Sequence, residues 1–124
     1  MSYNTDLENL IEDILSNDNI EKKKMFGGVC YLINGNIAFG VWKDYLIVRM
    51  AAELADEELN NGHVRAFDLT GKPMKGWVMV EKGSWNKSYE LTRWIDIGRT
   101  FAVSLPKKIA KKKTLEEIYY RPNQ

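Results

Sequence analysis

Apolar residues change their spacing along this chain, and each change marks an element. Leu7, Leu10, Ile11, Ile14 and Leu15 recur at i, i+3, i+4, i+7 and i+8. That stripe predicts an amphipathic helix with Glu8, Glu12 and Asp13 largely on its wet side and Leu10 and Ile14 buried in a core. Thr5-Asp6-Leu7-Glu8 has the spacing of a capping box, which places the helix start at Thr5. From Met25 to Met50 the period drops to two, in three short apolar runs with glycine or polar residues between them. This predicts three strands of an antiparallel meander. Asn34-Gly35 is a type I′ hairpin signal, because both turn positions need positive φ, and Lys43-Asp44 makes the next reversal.

Beyond Met50 the pattern alternates again between helix and strand. Residues 52–60 are helix-prone, and Asn61-Gly62 ends them through a left-handed residue. Val64, Arg65, Ala66 and Phe67 predict a fourth strand, and Trp77-Val78-Met79-Val80-Glu81 a fifth, reached through the Gly71-Lys72-Pro73 turn. A last body helix begins near Ser88, which caps it, with Glu90 in the first turn. Leu91, Trp94, Ile95, Gly98, Phe101, Ala102 and Leu105 fall on one stripe of it, with Trp94 and Phe101 expected in the core. Gly98 costs about 1 kcal/mol against alanine there, so its place on the buried face predicts a close approach of helix to sheet. Pro106 stops the helix. Thr114-Leu115-Glu116-Glu117 then predicts a short terminal helix whose Leu115, Ile118 and Tyr119 dock on the body or on another subunit.

The order is α-β(3)-α-β(2)-α: an α+β, two-layer α/β domain with a five-stranded antiparallel sheet covered mainly on one face. One domain spans residues 1–106, and residues 107–124 form a lysine-rich tail. The strands are apolar on both faces. Val29, Tyr31 and Ile33 alternate with Cys30 and Leu32, and Ala38, Gly40 and Trp42 with Ile37, Phe39 and Val41. One set faces the helices. The other leaves an apolar patch that asks for a partner, most simply a second copy in a homodimer.

Composition narrows the chemistry. At 124 residues and 44% hydrophobic, the chain builds one core. No run approaches the roughly 20 apolar residues that cross a bilayer, and the N-terminus has no secretory order, so a cytoplasmic protein without membrane attachment is expected. The single Cys30 fits a reducing compartment and excludes a cysteine-rich zinc site. His63 is the only histidine, which argues against a metal centre. A Cys30/His63 nucleophilic pair would lack a third orienting group, and no cofactor or catalytic constellation is evident, so an enzyme is the weaker class.

Charge is uneven. Six basic residues face two acidic ones after Pro106, against 12 basic and 15 acidic before it. Lys107, Lys108, Lys111, Lys112 and Lys113 are therefore candidate nucleic-acid contacts, although a solvated arm is the commoner meaning of such a run.

Two glycine-anchored segments carry the most specific signal, Met25-Phe26-Gly27-Gly28 after Lys24 and Pro73-Met74-Lys75-Gly76-Trp77 after Gly71-Lys72. Each joins a basic residue, a methionine and glycine to the start of an apolar strand. Gly27-Gly28 precedes a strand, whereas a P-loop precedes a helix, so close packing or a bulge explains the pair better than a phosphate cradle. Lys75-Gly76-Trp77 sets a cation beside an aromatic face, and core packing is again the commoner role. Together with Leu46-Ile47-Val48-Arg49 and Ser104-Leu105-Pro106, these motifs resemble the N-terminal domain of the TfoX/Sxy family, proteins associated with regulation of bacterial competence. The resemblance covers roughly the first 106 residues. It implies the same α-β(3)-α-β(2)-α order and a non-catalytic regulatory or protein-interaction domain. The alternative is a nucleic-acid accessory module that works through the basic tail.

Overall fold

A computed structural model describes residues 3–16, 20–68 and 71–107. The chain runs α1 (Thr5–Leu15), β1 (Glu21–Met25), β2 (Gly28–Ile33), β3 (Asn36–Trp42), β4 (Tyr45–Arg49), α2 (Ala52–Glu58), β5 (Val64–Ala66), β6 (Trp77–Val80), a 3₁₀ turn at Lys82–Ser84, and α3 (Ser88–Ser104). The six strands form one antiparallel sheet in the order β1-β2-β3-β4-β6-β5. The α+β class holds, and the sheet has one strand more than expected.

The additional strand is β1, Glu-Lys-Lys-Lys-Met, which carries no apolar alternation. It exists because its backbone pairs with β2 from Glu21↔Leu32 to Met25↔Gly28. Its lysines sit on an edge, where charge discourages pairing with another chain. The Met25-Phe26-Gly27-Gly28 motif therefore does not open the first strand. It closes the β1–β2 hairpin, with Phe26 at φ 57° and Gly27 at φ 76°. Both values match the type I′ geometry that Asn34 (54°) and Gly35 (81°) adopt one hairpin later.

Helix α1 starts at Thr5 as expected, but its cap is the residue before, not Thr5 itself. Asn4 is the cap, its side-chain oxygen accepting from the Leu7 amide at 3.0 Å, while its own amide donates to the Lys43 carbonyl. That second bond fixes the cap to the β3–β4 turn, a constraint Thr5 could not meet from inside the helix. The buried stripe is Leu7, Ile11 and Leu15. Leu10 is 40% exposed and Ile14 only partly buried, because α1 is rolled so that the i, i+4, i+8 row faces the sheet. Ser88 is likewise the first residue of α3 and not its cap. Lys87 takes that position, with no side-chain bond to the helix.

The main core lies between one sheet face and α1 and α3. Tyr31 stacks on Phe39 at 5.2 Å, beside Leu46, Val48, Leu91, Trp94 and Ile95. Phe101 is only partly buried, at the end of the α3 stripe. Ala38 and Phe39 are consecutive yet both join this core, against the strict alternation expected of β3. The register explains it: Tyr31 pairs with Phe39 and Leu32 with Ile37, so Ala38 is the extra residue of a bulge. That bulge meets Gly98, where an added Cβ would lie 2.3 Å from the Ala38 carbonyl oxygen, so the close approach expected of Gly98 is present. Trp94 donates its indole N–H to the Ser84 carbonyl at 2.9 Å. Buried Asn36 donates to the Pro106 carbonyl at 3.0 Å, tying the end of α3 to the β2–β3 hairpin.

Candidate functional site

Among the described residues no helix covers the other face of the sheet, and both glycine-anchored segments meet there. Cys30, Ile37, Gly40, Trp42 and Ile47 point to this side, and Phe67 and Met79 bury themselves against Ile47 with Trp42, Tyr45, Met74 and Trp77 packed around them. Between Phe26 and Met25 on one side and Met74 and Trp77 on the other lies an apolar hollow of about 190 Å³.

Its floor is Gly40. An added Cβ would stand 2.5 Å from the Val29 carbonyl oxygen, so the backbones of β2 and β3 close together and no side chain fills the middle. Its wall is aromatic: Trp42 meets Phe67 edge-on at 5.5 Å, and Phe67 meets Trp77 at 6.1 Å. Phe26 stands at its mouth, 62% exposed, on a left-handed backbone that costs a side chain about 1–2 kcal/mol. An exposed aromatic on such a backbone makes this turn a candidate for function.

The motif residues divide by role. Met25, Phe26, Met74 and Trp77 line the hollow. Gly28 and Gly76 are architectural: a Cβ would meet the Val41 oxygen at 2.1 Å in the first and the Met50 oxygen at 2.6 Å in the second. Gly27 has open space and serves the turn by its φ alone. Pro73 and Lys75 are exposed on the rim. Lys107 is exposed as well, whereas Lys108, Lys111, Lys112, Lys113 and the expected terminal helix lie outside the described residues.

Cations surround the aromatic wall. The Lys43 ammonium stands 4.5 Å over the Trp42 ring, and the Arg49 guanidinium 5.2 Å over Trp77 and 5.5 Å over Phe101. Lys23 pairs directly across from Cys30 and so shares its face.

Cys30 and His63 do not come together. Cys30 is on β2 and His63 precedes β5, with β3, β4 and β6 between them, a separation on the order of 19 Å at the usual strand spacing. Burial pushes the Cys30 thiol up to about 11, so it stays protonated and unreactive near neutral pH. His63 instead faces Glu81 at 3.7 Å, which also accepts from Arg65 at 2.6 Å. Among the described residues no group of three or more His, Cys, Asp and Glu could hold a metal ion.

A second concavity, an open groove of about 670 Å³, runs along α2 and α3 past Leu54, Tyr89, Ile97 and Phe101. It is wider but receives no residue of the two glycine-anchored segments, and Arg93 on its wall forms an ion pair with Glu58.

Sequence reasoning did not single out Gly40, Trp42 or Phe67 as site residues. A glycine inside a strand was the available signal for the first, whereas Phe67 joins the site only because β5 pairs beyond β6.

The described residues form a two-layer α+β domain with an apolar hollow on the sheet face away from the helices. It belongs to the TfoX N-terminal domain family, which matches residues 12–102 and so spans both hollow-forming motifs. Neither the curated proteins nor the solved structures contain a match to the chain.

Proposed function

We propose that this protein is a non-catalytic regulatory domain of the cytoplasm that works by binding a protein partner on its open sheet face, in keeping with the competence-related setting of its family. The observation that carries this reading is the hollow itself: the apolar side chains of both glycine-anchored motifs, Met25, Phe26, Met74 and Trp77, line it. Its volume of about 190 Å³ falls below the roughly 300–1,000 Å³ of small-molecule sites, and suits one inserted side chain better than a cofactor. Exposed aromatic and methionine side chains around such a recess are the composition of binding hot spots. A protonated, half-buried Cys30 far from His63 supports a binding role over nucleophilic catalysis. No helix among the described residues is long and apolar enough to cross a membrane.

The test is affinity capture from cell lysate at moderate salt, read by mass spectrometry, with wild type and Met74→Glu side by side. A protein retained by wild type and lost with a folded Met74→Glu supports the reading. Equal retention by both places binding elsewhere.

A further inference from the structure

The rim of the hollow differs in chemistry from its floor, and that difference describes the partner. Lys43 stands over Trp42, Arg49 over Trp77, Lys23 pairs across from Cys30 and Lys75 follows Met74, and among the described residues none of the four has an ion-pair partner. The nearby carboxylates do not cancel them. Asp44 accepts from Asn4 at 3.3 Å toward the start of α1, and Glu81 is occupied by Arg65 and His63. Asp68, after Phe67, leaves the rim net positive.

We propose that the hollow receives one aromatic or large aliphatic side chain from an acidic segment of the partner protein, whose carboxylates pair with Lys23, Lys43, Arg49 and Lys75. This inference rests on the docking reading above and adds the charge and the anchor of what docks. Apolar burial in a recess supplies affinity, and complementary charge on the rim supplies rate and register. The chain's own tail is a poorer occupant, because six basic residues against Glu116 and Glu117 after Pro106 give it a net charge of the same sign as the rim. The φ of Phe26 fits the role, since it holds a ring at the mouth that an incoming side chain would cover.

Amide chemical shifts of the full chain, titrated with designed peptides, test this. The probe is a short Asp/Glu/Ser peptide with one central tryptophan. Its companions replace the tryptophan by serine, the acids by glutamine, or the acids by lysine, and an oligothymidylate of similar length is the nucleic-acid control. The acidic tryptophan peptide is expected to shift the amides of Cys30, Gly40 and Trp77. Loss of either the tryptophan or the acids should weaken binding at least about tenfold, a difference of about 1.4 kcal/mol. Lys43→Glu with Lys75→Glu, both at exposed positions, should weaken it similarly while the fold is retained.

Equal binding by the glutamine or lysine peptide overturns the acidic partner and leaves the docking reading standing. Tighter binding of oligothymidylate at the same amides makes the face a nucleic-acid surface and overturns both. Concentration-dependent shifts of those amides without any peptide overturn the inference in favour of a second copy. If no peptide binds at the hollow while capture from lysate still depends on Met74, the inference alone fails.

Discussion

The two faces of one sheet use the same strands for opposite ends. On the covered face, Phe39, Leu46, Val48, Val78 and Val80 are fully buried under α1 and α3, and an aliphatic side chain removed there leaves a void nothing can fill. On the open face Ile47 and Met79 are buried only because Trp42, Tyr45, Met74 and Trp77 fold over them, and those four remain partly exposed. The first face spends its apolar area on holding the domain together. The second keeps an unfilled recess floored by Gly40 and guarded by a strained Phe26. Stability and recognition are therefore separable by face, and substitutions should sort accordingly.

The largest contrast is between cores. Ile11→Ala should cost about 2–5 kcal/mol, as expected for a buried aliphatic beside rigid neighbours. Trp42→Ala, on the open face, should cost about 1–2 kcal/mol, since its packing is an edge contact with Phe67 and a half-wet surface. Urea midpoints at constant slope measure both, and equal losses would erase the distinction between the faces.

Next comes Gly98→Ala. Helix propensity alone predicts a gain near 1 kcal/mol, but the new Cβ would press on the Ala38 carbonyl, so a net loss of about 1–3 kcal/mol is expected. A more stable variant would mean that α3 can lift from the bulge without penalty.

Phe26→Asn tests the opposite sign on the open face. Asparagine tolerates the left-handed backbone that phenylalanine endures, so stability should rise by about 0.5–1 kcal/mol while partner binding weakens. A loss of stability would show that the Phe26 ring contributes packing greater than its backbone strain.

The smallest effect lies where α1 meets the β1 edge. Hydrogen bonds from Lys22 and then from Tyr31 hold the Glu12 carboxyl below its ordinary value of 4.5. A depressed folded value means its contribution is complete above about pH 4.5 and is lost as pH falls below it. The group is half in water, so the loss should stay under about 1 kcal/mol. Midpoints at neutral and acid pH for wild type and Glu12→Gln should show the variant losing less over the acid step.

Much of this architecture is legible in residue order because it depends on near neighbours. Asn34-Gly35, the Lys43-Asp44 reversal, the period-two runs of β2 to β4 and the stripe of α3 are decided within a few residues, by φ preferences and alternation. The α+β class follows from adding them up. Strand β1 was not legible: nothing in Glu-Lys-Lys-Lys-Met asks for a strand, and only the free backbone edge of β2 creates one. The roll of α1 was ambiguous too, because Leu7, Leu10, Ile11, Ile14 and Leu15 are all apolar, and the Asn4 anchor to Lys43 chooses which row faces inward.

The site divides in the same way. By itself the sequence determined which residue types are unusual, the two methionine–glycine segments and their basic flanks, because rare local combinations are visible without coordinates. Only the tertiary structure decided that Phe26-Gly27 is a turn, that Gly28 and Gly76 serve backbone contacts, and that Met25 and Met74, 49 positions apart, line one hollow with Trp42 and Phe67. The physical reason is that strand pairing sets which side chains become neighbours. Pairing depends on hydrogen bonds between distant segments, and a spacing rule read along one chain carries no record of them.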